Sequence, residues 1–170
     1  MRQCRLTPQA SGHVRSPWAR FNINNVAISS NGMQHEAILR TLVQGAGEVP
    51  DAKTVADAML KTWHRMAMRL TPVIGTRGVE ALFSRALHIT SKDFPWLAVT
   101  VNDGNGAAIL ANLKVHLVAR EADVALNASY TLLMTFTELL TTLIGESLTS
   151  RLLDPVWASS SAESERKRIS

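Results

Sequence analysis

Cysteine occurs once in the 170 residues, at Cys4, so an intrachain disulfide and a cysteine metal cluster are both excluded. Thiol chemistry of that kind suits a reducing compartment, and the expected location is the cytoplasm. The N-terminus lacks the continuous apolar core of a secretory signal and is rich in arginine instead. Acidic residues are missing before Met33, where Arg2, Arg5, Arg15 and Arg20 stand unopposed. Proline is missing from Asn105 to Asp154, and charge is scarce within that stretch, with only Asp123 and Glu138 between Ala122 and Gly145. A proline-free, nearly uncharged segment with apolar residues at helical spacing must bury most of its sides. That places the chain among helical bundles.

The pI of 9.7 points towards nucleic acid until the charges are located. Between Met33 and Ala158 there are 11 basic and 12 acidic residues, so the +4 net charge belongs to the two ends. A folded nucleic-acid surface carries its basic excess on the domain itself, and neither DNA nor RNA is an expected partner.

Residues 1–32 have no helical or strand period and are rich in Asn, Ser and Arg, as in a disordered leader. Met33 precedes the first acidic residue and the first helix-like run, so the leader also reads as an overextended start. The domain is expected over 33–158, with 159–170 as a disordered, solvated tail. Within it, His35 to Val43 suits a short helix stopped by Gly45 and Gly47. Asp51 is a suitable N-cap for a helix carrying Val55, Met59, Thr62, Met66 and Leu70 on one face and ending at Thr71-Pro72. Gly75 and Gly78 link it to a second helix over about residues 79–94, closed by Pro95. After the turn at Asp103-Gly104-Asn105-Gly106 come a third helix over about 107–120 and a fourth from Ala122 through Leu153, stopping before Pro155. The expected architecture is all-α: an antiparallel bundle of about four long helices with a short N-terminal helix and disordered tails.

The fourth helix is long enough to raise the question of a membrane span. Asn127, Thr131, Thr135, Glu138, Thr142 and Thr149 form a polar stripe down it, and a carboxylate at mid-bilayer costs about 2.5–3.5 kcal/mol. No span is expected. The wide apolar face beside that stripe offers a homodimer seam along Ala122–Leu153, with Glu138 close to it.

The usual signatures of catalysis are absent from the sequence. There is no Gly-x-Ser-x-Gly elbow, no phosphate loop, no paired Glu-x-x-His and no close histidine pair for zinc, so no metal or cofactor is expected. Asp103 opens a calcium-like turn, but Lys114 stands where the twelfth-position glutamate belongs. Two side chains remain as candidates. Glu138, if partly buried, would have the raised pKa that suits acid–base work. His88 shares a helix face with Ala81, Ser84, Arg85 and Lys92 and is expected to be exposed. In that single helix the chain resembles a histidine phosphotransfer domain, which would make His88 the phosphorylated residue. The family's lysine three residues later and glycine just beyond are replaced here by Ser91 and Lys92. The segment Asn102, Asp103, Gly104, Asn105 and Gly106 is a candidate ligand or lid loop.

The function these features imply is a non-enzymatic helical interaction or regulatory domain in bacterial signalling, with a protein partner. A small-molecule or lipid-binding bundle is the alternative, resting on the surplus of apolar helix surface and on the Met and Trp content of the first long helix. Phosphotransfer through His88 is the third reading.

Overall fold

The computed structural model describes residues 30–98 and 106–168, and within these the protein is all-α. Five helices follow in order: α1 (Ser30–Ala46), α2 (Ala52–Thr90), α3 (Gly106–Val118), α4 (Ala122–Ile144) and α5 (Glu146–Arg168). The expectations for residues 1–29 lie outside the described residues.

Helix α1 buries Ile38, Leu42 and Ala46, one residue per turn, together with Thr41. It crosses α2 at Gly45, where a Cβ would come within 2.8 Å of the Ala58 Cβ, so glycine sets how closely the two backbones approach. Gly47, at φ 86°, then ends the helix in the left-handed region that favours glycine. Asp51 starts α2 as its spacing implies. Its Oδ1 accepts the Thr54 N–H at 2.7 Å, while its own N–H donates to Thr54 Oγ1 at 3.0 Å. Two free amides of the first turn are thereby satisfied.

Helix α2 is a hairpin of two arms, 52–74 and 76–90, broken at Gly75 with φ 75° and ψ 160°. The rings of Trp63 and Phe83 prove the fold-back: their centroids are 4.0 Å apart. Twenty residues of straight helix would separate them by about 30 Å. The expected two-helix reading of this region therefore holds, with its first boundary moved. Pro72 lies inside the first arm instead of ending it. The hydrogen bond it forgoes belongs to Met68, an exposed residue, so the orphaned carbonyl is on the wet side.

The chain leaves the second arm through the 95–98 turn, where Leu97 is fully buried and Trp96 receives the Arg120 guanidinium 5.0 Å from its ring centre. Helix α3 seats Ile109, Leu113 and Leu117 against α2. Helix α4 is the centre of the bundle, burying Leu126, Leu132, Leu133, Phe136 and Leu140 chiefly against α2. The edge of Phe136 meets Trp63 at 4.9 Å, which joins both arms of α2 to α4 in one aromatic cluster.

Two further boundaries differ from expectation. The fourth helix does not run on to Asp154; it stops at Gly145, whose φ of 87° turns the chain into α5. Helix α5 passes through Pro155 and continues to Arg168, so 159–168 is helical where a disordered tail was expected. It buries Thr149, Leu153, Val156 and Trp157, and α1 packs along it.

No helix of the described residues is long and apolar enough to cross a membrane. The apolar face of the Ala122–Leu153 stretch is spent inside the bundle. Val124, Leu143 and Leu148 are the large apolar side chains left exposed along it.

Candidate functional sites

Two concavities among the described residues bring polar side chains together. The larger, about 380 Å³, lies between the two arms of α2 and the first turn of α3. Its floor is apolar: Trp63, Val79, Phe83 and Ile109, each at least nine-tenths buried. Its rim is polar, with His64, Thr71, Thr76, Glu80 and Ser84. Two of the rim groups are oriented by hydrogen bonds to their own helix backbone. His64 Nδ1 lies 2.9 Å from the Leu60 carbonyl, so in the neutral ring Nδ1 carries the proton and Nε2 faces outward as an acceptor. Thr71 gives its hydroxyl proton to the Ala67 carbonyl at 2.8 Å and presents a lone pair.

Glu80 rests against the start of α3, and a Cβ on Gly106 would fall 2.8 Å from its Oε1. Glycine at 106 thus lets a carboxylate sit at the N-terminal end of α3, where helix polarity favours negative charge. Of the five residues expected to form a ligand or lid loop, Gly106 is the one described, and it lines this cleft. Asn102, Asp103, Gly104 and Asn105 lie outside the described residues.

The second concavity, about 260 Å³, lies between α1 and α4 and is lined by Gln34, His35, Met134, Thr137, Glu138, Thr141 and Thr142. Tyr130 adjoins it, its hydroxyl 3.4 Å from His35 Nδ1 and its ring edge-on to the imidazole at 6.5 Å. Burial pushes the Tyr130 phenol above its ordinary value, and the negative charge of Glu138 adds to the effect.

The candidates drawn from the sequence fall unevenly on these places. Glu138 belongs to the second concavity but is exposed, not partly buried. The buried arc of α4 runs through Leu133, Phe136, Thr137 and Leu140, and position 138 turns away from it. Without burial, the desolvation argument for acid–base work lapses. His88 is exposed, as the helix-face reading anticipated, and its carbonyl accepts the Ser91 hydroxyl at 2.7 Å. It lines neither concavity, so the structure does not bring it together with Glu138. Among the described residues no group of three His, Cys, Asp or Glu side chains is placed to hold a metal ion.

Sequence reasoning missed His64 and Glu80 at the first site and His35 and Tyr130 at the second. His64 and Glu80 come from the two arms of α2, and His35 and Tyr130 from α1 and α4, so helical spacing within one segment carries no signal for either pair. Compared with protein-family models, with curated proteins and with solved structures, the chain finds no match.

Proposed function

We propose that the protein is a small-molecule-binding helical bundle whose ligand site is the cleft between the α2 hairpin and α3. The observation that carries this reading is the Trp63–Phe83 aromatic wall at the floor of a 380 Å³ opening. Ligand sites are typically about 300–1,000 Å³, mostly apolar, with a few placed polar groups. The floor and rim described above have that composition. The ligand is a compact, largely apolar molecule with a hydrogen-bonding group directed to His64, Ser84 or Glu80. Occupying the cleft ties both arms of α2 to α3, which gives binding a means of regulating the helix surface on either side.

The test uses a neutral fluorescent probe, N-phenyl-1-naphthylamine, with the full chain. Saturable enhancement is expected, together with a raised melting temperature. Ser84→Phe places a ring in the cleft from a half-buried position on α2 and should weaken binding at least about tenfold, equivalent to about 1.4 kcal/mol, with folding retained. Unchanged binding in a folded Ser84→Phe protein would remove the cleft as the site.

A second reading, protein interaction, has its own support in α3. That helix is held chiefly against α2, yet its far side carries Ala107, Ala111, Val115 and Val118, with Val115 66% exposed. A short apolar stripe of this kind suits the apolar face of a partner's amphipathic helix. Under this reading Val115→Glu abolishes recovery of a near-stoichiometric partner from the native host. A partner retained by that variant would discount the α3 stripe.

A further inference from the structure

Most of the polar side chains lining the 260 Å³ niche between α1 and α4 are committed to accepting hydrogen bonds. Thr137 gives its hydroxyl proton to the Leu133 carbonyl at 2.8 Å, Thr141 to the Thr137 carbonyl at 2.8 Å and Thr142 to the Glu138 carbonyl at 2.9 Å. With their protons directed into the helix, these oxygens offer only lone pairs to anything outside it. Gln34 spends one Nε2 proton on Ser150 Oγ at 3.1 Å, which fixes the amide and leaves its Oε1 and a second N–H. Glu138 adds two carboxylate oxygens and is the one charged residue of the lining. Met134, nine-tenths buried, supplies an apolar wall. Acceptors outnumber donors in this lining, where the His35 ring and the second Gln34 N–H are the groups able to donate.

We infer that this niche binds a small organic cation with several N–H donors, a primary ammonium or guanidinium group on a short apolar stem. The N–H groups pair with Glu138 and with the outward lone pairs of Thr141 and Thr142, and charge-assisted bonds of this type are the stronger class. The stem lies along Met134. At about 260 Å³ the niche takes a head group and a few carbons, less than the cleft at the α2 hairpin holds. The neighbouring Tyr130 phenol is pushed up by burial first, and the Glu138 charge adds to that effect. The His35–Tyr130 contact, at 3.4 Å, is long and weak, and the arriving cation tightens or displaces it. This inference concerns a different face of the bundle from the hairpin cleft and does not depend on it.

The experiment compares n-butylammonium, n-butyltrimethylammonium and n-butyrate by NMR, with the full chain labelled at tyrosine. Tyr130 is the only tyrosine in the sequence, so its ring signal reports the niche without assignment. Butylammonium is expected to shift it saturably. The trimethyl analogue, equally charged but without N–H donors, and butyrate should not. Glu138→Gln, a change at an exposed position, should weaken butylammonium at least about tenfold, and Ser84→Phe at the other cleft should leave it unchanged. Equal binding of the trimethyl analogue, an unaffected Glu138→Gln protein, or an unmoved Tyr130 signal up to about 10 mM butylammonium would each overturn the inference.

Discussion

Gly75→Ala should destabilise the protein through the backbone alone. At φ 75° and ψ 160° residue 75 occupies a region that is essentially restricted to glycine, and a side chain held there costs about 1–3 kcal/mol. Steric clash adds nothing, because a Cβ at this position meets no atom within 4 Å. Three residues on, Gly78→Ala supplies the control. Gly78 has no such backbone conformation, and its added Cβ would make only an ordinary contact with Ile74, 3.4 Å away. The higher helix propensity of alanine should raise stability by up to about 1 kcal/mol. Urea denaturation followed by circular dichroism measures both variants. In a chain of this size about 1 kcal/mol corresponds to about 2–4 °C, so Gly75→Ala should melt about 2–12 °C lower. Thr71 and Thr76, on either side of the bend, line the cleft, so the same variant should also weaken naphthylamine binding. A Gly75→Ala protein of wild-type stability, or one with increased helix content, would show that the chain does not fold back at this glycine.

Three other outcomes are expected. Ser129→Ala should stabilise the protein by about 1 kcal/mol in urea titrations, since the Ser129 hydroxyl is buried with no hydrogen-bond partner among the described residues; a loss of stability would mean the hydroxyl has a partner in solution. Hydrogen bonds from the Thr54 backbone N–H, then its hydroxyl, hold the Asp51 carboxyl below its ordinary 3.8, so the fold favours the ionised form. The stability this contributes is present above about pH 4 and lost as pH falls through the lower folded value, and Asp51→Asn, which keeps a cap, should flatten that part of the acid limb of the urea midpoint against pH. The Tyr130 phenol should titrate above 10.0 in ultraviolet difference spectra and move down in Glu138→Gln, with the stability gained from its neutral form lost as pH rises through the folded value; a midpoint at or below 10.0 would contradict the geometry around it.

The helical character, the Asp51 cap and the hairpin at Gly75 were all legible in the sequence, because each depends on residues a few positions apart. Helix ends were less so. Pro72 and Pro155 look like terminators, but the carbonyls they leave unpaired belong to Met68 and Arg151, both exposed, where water can replace the lost bond. Gly145 went unread for the opposite reason: Leu140, Ile144, Leu148 and Leu152 keep a four-residue step across it, so the spacing continues through a bend that only φ reveals. The sites were legible in part. The threonines around Glu138 stand out as a stripe, but their meaning depends on α1. His35 and Tyr130 are 95 residues apart, and no local pattern pairs them.

The pairing of α1 with α5 governs the order in which the molecule can be completed during synthesis. Gln34 and Ser150, hydrogen-bonded at the junction of these helices, are 116 residues apart. Helix α1 therefore has part of its packing surface reserved for α5, which is made much later. Long-range closure of this kind slows folding and leaves early segments incompletely covered while the rest is translated. The α2 hairpin and α4 can collapse around Trp63 as soon as α4 has emerged. α1 must wait beside them until α5 arrives to close the bundle.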